Sequence, residues 1–455
     1  MSLRWPVEQM AALQSKRLRV TVQRCLDRHP HYAPLLRDSG VRPAELVTPA
    51  DLAALPLTAK SDFLAAPESF RLTPAPSEGS DVLWDVMYTT GSTTGQPAPV
   101  YASSLDHIAH LAAARREGSF IGLSNRDTIA NLLPLTPFPM GAYARSASDA
   151  ASVGAAMVWC HTGRSDDGER VHRSLDEAID LVRTHRATVL WGIASFVRRF
   201  LLRCTERGVS LESVRMSLVT GEAVSASLKA ELARLMLGAG AGEQQVVNRY
   251  GATELGTSLY ECEPGSGLHL LTPEDVYLEV VDPVTERTLP DGEVGPLAFT
   301  HLNRTGTVFL RYLLGDITSL SHDPCPACGL NAPRLVTPPR RSAGLVKIKG
   351  TLVDLNGLHE NLTTLQQVNE AQILVTRVSS ADAFSPDVLE IRIAADVAAQ
   401  VALSETVTAL VTEVTLVRPK ISFVSAGELF DPLTAPKAQY IVDRRGSDDA
   451  QPAHL

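Results

Sequence analysis

The chain has little cysteine, no excess of positive charge and no unbroken apolar run. Six cysteines among 455 residues do not make a disulfide framework, which small secreted domains build at far higher density. Lysine and arginine number 42 against 51 acidic residues, a formal charge of -9. That balance argues against nucleic acid as the main partner. The best membrane-span candidate, residues 393–417, is broken by Asp396, Glu405 and Glu413, so no membrane crossing is expected. The opening Met1-Ser-Leu-Arg-Trp-Pro6 holds no apolar signal core. These absences predict a cytoplasmic globular protein and leave monomer and homodimer equally open.

The composition that remains, 44% hydrophobic and 20% charged, suits packed cores. The length exceeds one ordinary core, so two or more domains are expected. The first 80 residues are punctuated by Pro30, Pro34, Pro43, Pro49 and Pro56, which suggests short helices and loops. From 81 to 335, β-branched runs alternate with amphipathic stretches. Leu175, Ala178, Ile179 and Val182 share one helical face, predicting a helix over 174–183. Helix 225–237 is expected likewise. Strands are expected over 187–191, 215–219 and 245–248. This alternation predicts an α/β fold with parallel sheet character. Residues 276–281 and 292–299 read as an antiparallel pair. Prolines near Thr337-Pro-Pro-Arg-Arg341 mark a hinge, giving a large N-terminal domain over 1–338 and a small one over 339–455. In the latter, 388–393 alternates as a strand and 396–414 suits an amphipathic helix.

The densest chemistry lies in Tyr88-Thr-Thr-Gly-Ser-Thr-Thr-Gly-Gln-Pro97. Glycines let a backbone wrap closely around a ligand, and hydroxyls donate to phosphate oxygens. The same composition also makes plain surface turns. It is not a Walker A loop, because Gly95 is followed by Gln96 and Pro97 and no lysine is present. Any cation must come from elsewhere. Arg249-Tyr-Gly-Ala-Thr-Glu254 follows a strand, where open α/β sheets bind ligands; Glu254 suits a magnesium ion or, with Thr253, an ordinary helix cap. Asp316 in Arg311-Tyr-Leu-Leu-Gly-Asp316 suits two ribose hydroxyls or a turn bonding its own backbone.

The order and spacing of these segments resemble the acyl-adenylate-forming (AMP-binding) superfamily, and more narrowly its phenylacetate–CoA ligase branch. Leu55-Pro-Leu-Thr-Ala-Lys60, Glu261-Cys262, Gly267-Leu-His269, Cys325-Pro-Ala-Cys-Gly329 and Pro436-Lys-Ala-Gln-Tyr-Ile-Val-Asp443 add to the likeness, which runs from about residue 20 to 445. It implies a large domain of mixed sheets and helices plus a small, mobile α+β C-terminal domain. It implies activation of a small carboxylic acid, aromatic or arylalkanoic, by ATP and Mg2+, with pyrophosphate release and transfer to CoA. Thr90, Gly91, Ser92, Thr93, Thr94 and Gly95 would cradle the β- and γ-phosphates. Gly221, Glu222 and Ala223 would line the adenine. Tyr250, with Gly251 and Thr253, would border the nucleotide, Glu254 would ligate magnesium, and Asp316 would hold the ribose with Arg341 nearby. Lys437 would bridge the substrate carboxylate and the α-phosphate. By family position Phe138, Tyr143, Trp191 and Ile193 fall near the acid pocket, and they equally suit a core.

Departures from the family pattern keep other acceptors open. A glycine is replaced by Ser92 and a lysine by Gln96. The hinge pattern Gly-Arg-Ser-Asp-Asp becomes Arg340-Arg-Ser-Ala-Gly344, without either aspartate. A carrier-protein thiol or an amine therefore competes with CoA, and a non-catalytic binding homologue is the remaining alternative.

The cysteines form a separate pattern. Cys325 and Cys328 have zinc-knuckle spacing, and Cys262 with His269 supplies a second pair. A Cys3His set suits tetrahedral zinc with no open position, hence a structural Zn2+. Cys25, Cys160 and Cys204 are expected to be buried small hydrophobes.

Overall fold

A computed structural model describes residues 2–74, 82–89, 97–136, 138–163, 172–341, 344–348, 351–365, 367–378, 385–415, 417–431 and 438–445. Its contacts divide the chain into two units, Met1–Pro339 and Arg340–Leu455.

The first unit is built on a long sheet. Five strands run parallel in the spatial order Ala156–Trp159, Thr128–Asn131, Val189–Ile193, Met216–Thr220 and Gln245–Gly251. Val189–Ile193 and Met216–Thr220 are buried at every position, as inner parallel strands covered on both faces must be. The expected helices are present, each shifted by one residue. Ser174 and Ser225 stand outside as caps, their hydroxyls accepting the N–H of Glu177 and Leu228. Ile179, Val182, Val189, Leu190, Phe200 and Met216 meet in one core.

Beyond Gln245–Gly251 the sheet turns antiparallel through Ser258–Glu261, Leu268–Leu270, Arg334–Leu335, Tyr312–Ser321, Val294–His301 and Val276–Val280. The expected antiparallel pairing of the last two holds, with Leu278 opposite Phe299. A second core of Phe63, Phe70, Phe299, Phe309 and Tyr312 joins this ribbon to the N-terminal helix Val7–Arg28 and the segments after it. A separate hairpin pairs Leu83–Tyr88 with Pro99–Ser103, Tyr88 opposite Pro99.

Three local expectations change. The strand predicted to stop at 248 continues through Gly251, because Tyr250 and Gly251 pair with Leu259 and Ser258. The turn after it leads into strand Ser258–Glu261 rather than a helix, so neither Thr253 nor Glu254 is a cap. Asp316 lies within strand Tyr312–Ser321, not in a turn.

The second unit packs a hairpin (Leu345–Ile348, Thr351–Asp354), a helix (Leu355–Thr363) and a sheet ordered Lys420–Phe423, Asp387–Ala394, Glu370–Arg377, Ile441–Asp443. Its helical stretch Val397–Thr415 is, at 19 residues and mean hydropathy 1.2, long and apolar enough to cross a membrane, contrary to the expectation above. The interrupting acids do not lower its average enough. Leu403, Val407 and Val411 nevertheless pack into the unit's core with Ile373 and Ile391, while Glu405 and Glu413 face outward.

Candidate active site

Parallel strands end on one edge, and three adjacent ends carry the polar segments. Ser195 follows Ile193, Gly221 follows Thr220, and Ala252 follows Gly251. Such an edge is where open α/β sheets bind ligands. Gly221 takes φ +83°, a left-handed turn that glycine enters without strain. Glu222 then bends toward the neighbouring strand end. Its carboxylate accepts the Ser195 N–H at 2.9 Å and the Ser195 hydroxyl at 2.7 Å. Ser195 opens helix Ala194–Glu206, so the charge sits at a helix N-terminus, where it is stabilised. Ala223 completes the segment.

Tyr250 projects from the strand end toward the antiparallel ribbon. Its hydroxyl donates to Asp316 Oδ2 at 2.8 Å. Asp316 follows Gly315, whose φ is +82°. Thr253 ties the same turn to the hairpin, donating to the Tyr88 carbonyl at 3.2 Å. The hairpin closes through Thr89 N–H to Ala98 O and Ala98 N–H to Thr89 Oγ1, both 3.0 Å. The hydroxyl-rich segment falls in sequence between the hairpin's two strands. Thr90, Gly91, Ser92, Thr93, Thr94 and Gly95 themselves lie outside the described residues, as does Lys437.

Glu254 is 3% exposed, and its Oε1 lies 2.9 Å from Lys60 Nζ. Lys60 begins helix Lys60–Ala65, far away in sequence. A buried carboxylate requires a compensating charge, and Lys60 supplies it. One carboxylate beside a triphosphate is a usual way to hold Mg2+, which keeps waters and takes few protein ligands; Glu254 fits that role. Arg341 belongs to the second unit.

Of the residues expected near an acid pocket, Phe138 is 45% exposed and lies beside Tyr88, 5.1 Å between ring centroids with the rings tilted by 50°. Tyr143 is half-buried against Trp159 at 5.5 Å. Trp191 and Ile193 lie in the parallel-sheet core. The Arg249 guanidinium sits 5.3 Å from the Trp191 ring centroid.

Cys262, His269, Cys325 and Cys328 come together with all ligand atoms within 4.8 Å of one another. Cys262 Sγ and Cys325 Sγ are 3.8 Å apart, and Cys328 Sγ is 3.5 Å from His269 Nε2. A tetrahedron with metal–sulfur bonds of about 2.3 Å and metal–nitrogen bonds of about 2.0 Å has S···S edges of roughly 3.8 Å and S···N edges of roughly 3.5 Å. Both distances fit, and 3.8 Å between the Cys262 and Cys325 sulfurs is far too long for an S–S bond. His269 Nδ1 lies 3.2 Å from the Tyr260 carbonyl, the second contact that orients an imidazole for ligation through Nε2. Cys25, Cys160 and Cys204 are buried and free.

Sequence reasoning missed several residues here. Lys60 stood inside a quoted segment with nothing to mark its partner. Ser195, Arg145, His301 and the buried pair Arg311–Glu279, 3.0 Å apart, gave no spacing signal.

The end of strand Gln245–Gly251 thus carries a carboxylate–lysine pair and a tyrosine–aspartate pair. The AMP-binding enzyme family model matches residues 5–312, and the chain belongs to that family. It is 28% identical over 382 residues to a phenylacetate-coenzyme A ligase of Thermus thermophilus, covering 83% of this chain and 80% of the relative. It is 24% identical over 385 residues to the phenylacetate-coenzyme A ligase of Escherichia coli K12, covering 83% and 82%. These relatives support the phenylacetate–CoA ligase branch. The fold matches 2-hydroxyisobutyryl-CoA ligase solved with its acyl-AMP, at TM-score 0.79 and 20% identity over 97% of this chain and 91% of the other.

Proposed function

We propose that this protein is an AMP-forming acid–CoA ligase acting on an aromatic or arylalkanoic acid. A substrate carboxylate oxygen attacks the α-phosphorus of ATP, the α–β phosphoanhydride bond breaks, and pyrophosphate leaves. The CoA thiolate then attacks the acyl carbonyl and AMP leaves. Both partners in the first step are anions, so the barrier depends on aimed donors and cations. Magnesium held by Glu254 would neutralise phosphate charge. Lys60, 2.9 Å from Glu254, balances and aims its carboxylate, and brings to the edge the cation that Gln96 does not supply. Asp316, aligned by Tyr250, is suited to the ribose hydroxyls, and Gly221–Ala223 to the adenine. Lys437 carries the charge that joins the carboxylate to the α-phosphate.

The observation that carries this reading is the meeting of Tyr250, Glu254 and Asp316 at one strand end, tied by Thr253 to the hairpin whose strands flank residues 90–97 in sequence. Acid-dependent pyrophosphate release from ATP tests it, with aryl acids first, and no release with any acid would refute it. Adding CoA, a phosphopantetheinyl carrier or an amine then identifies the acceptor. The missing hinge aspartates favour the carrier or amine as the second reading. The four-ligand cluster is proposed to hold structural Zn2+, supported by its distances; metal analysis of purified protein checks this.

A further inference from the structure

The turn that presents Glu254 is gripped by two side-chain nitrogens from remote segments, one buried and one half-buried. His301, the last residue of strand Val294–His301, is fully enclosed. The Phe309 N–H donates to its Nδ1 at 3.2 Å, so Nδ1 bears no proton and Nε2 does. That Nε2–H donates to the Leu255 carbonyl at 3.2 Å. Arg145, on helix Gly141–Val153, donates from Nη1 to the next carbonyl, Gly256 O, at 3.0 Å.

The residues on either side are held too. Gly256 takes φ +74°, and a Cβ there would meet Arg304 Nη1 at 2.4 Å. Thr257 donates to Glu117 at 2.8 Å, and Thr253 donates to Tyr88. Turn carbonyls ordinarily face water. Here the two that follow Glu254 each have a dedicated side-chain donor, a buried imidazole and a half-buried guanidinium, whose desolvation is costly. Ordering this turn for its own sake would need only local side chains.

We infer that Arg145 and His301 are positioning residues that preset Glu254 for Mg2+ before nucleotide arrives. The inference rests on the reading of Glu254 as the magnesium ligand. Partners that orient a metal ligand typically contribute 10- to 100-fold in metal affinity.

Calorimetric binding of ATP with and without Mg2+ tests it, using R145M and H301F, with R145K and H301Q as conservative variants. The Mg2+-dependent gain in ATP affinity should fall tenfold or more in the first two. Binding of Mg2+-free ATP should stay within about twofold of the parent, and the conservative variants should recover most of the gain. Should R145M not fold, R145Q carries the same expectation. Equal weakening with and without Mg2+ in folded variants would mean that the side chains only support the fold, which overturns the inference. E254Q separates the two ideas. If it loses the gain while R145M and H301F keep it, the positioning inference falls alone. If E254Q keeps the gain, the reading of Glu254 falls and takes the inference with it.

Discussion

Two clusters occupy the ends of one four-residue strand, Ser258–Glu261. Before it comes the turn carrying Glu254; after it comes Cys262. The first cluster is a single hard oxygen donor, buried and balanced by a lysine at 2.9 Å. The second is three soft sulfurs and an imidazole at tetrahedral spacing. Oxygen donors with few protein ligands suit an ion that shares its shell with substrate and water. A complete sulfur–nitrogen set leaves no position open and suits an ion that never exchanges with substrate. The backbone differs in the same sense. The Glu254 turn is held by distant side chains, whereas the Cys325–Cys328 loop closes locally, Gly329 N–H on Cys325 O at 2.8 Å. On the proposed reading, one strand would link a site built for turnover to a site built for rigidity.

The comparison breaks most sharply if changes at one end are felt as the other end's kind of loss. Glu254→Gln should lower acid-dependent pyrophosphate release about 10²–10³-fold, roughly 3–4 kcal/mol of barrier, with bound zinc unchanged. Lys437→Ala should cost a similar factor while ATP still binds. Single-turnover pyrophosphate assays with parallel metal analysis check both. Lost zinc in Glu254→Gln would mean that the two ends are one site.

Cys328→Ser is the converse. It should release the metal and lower stability by roughly 2–4 kcal/mol, the range for a cross-link closing a long loop; Cys262 and Cys325 are 63 residues apart. The turnover of protein that remains folded should change by less than about twofold. Melting curves with and without a chelator, beside rates corrected for folded fraction, measure this. An undiminished melting temperature would remove the staple from the account.

Lys60→Met sharpens the reactive end. It strands a 3%-exposed carboxylate without its counter-charge, a loss of about 1.5–3 kcal/mol for a charged contact. Pyrophosphate release should fall about tenfold or more, with partial rescue at high Mg2+ because the added ion supplies the missing charge. Rates measured across a magnesium titration decide it; a loss that magnesium leaves untouched would make Lys60 a structural partner only.

The legibility of the sequence follows the same division. The Cys/His cluster was readable because ligand chemistry narrows which residue types belong together, whatever their separation. Three of the five parallel strands, Val189–Ile193, Met216–Thr220 and Gln245–Gly251, were readable from their apolar and β-branched runs, whereas Thr128–Asn131 and Ala156–Trp159 were not. The full extent of Gln245–Gly251 was not readable either, because Tyr250 and Gly251 join the strand through pairing with Leu259 and Ser258, a tertiary choice. Lys60, Arg145 and His301 were silent for a related reason. Each acts on a turn far along the chain, and no periodicity links a lone basic residue to a backbone carbonyl. Trp191 shows the opposite case: an aromatic near a strand's end suited a pocket or a core, and the structure packs it in the core, within strand Val189–Ile193 and beside Arg249.

The smallest expected effect lies at the tyrosine. Tyr250→Phe removes one neutral donor, at 2.8 Å, from the Asp316 carboxylate and leaves the ring in place. A single neutral donor to a carboxylate contributes about 1.5 kcal/mol, the low end of the range for a charged acceptor, so the loss should be about tenfold. It should fall on KM for ATP rather than on kcat, because a ribose contact is made equally in the ground state and the transition state. The same variant should discriminate less between ATP and 2′-deoxy-ATP, since Asp316 has lost the donor that aims it. A drop confined to kcat would place the Tyr250 hydroxyl at the reacting carboxylate instead, and move the acid pocket to this side of the strand end.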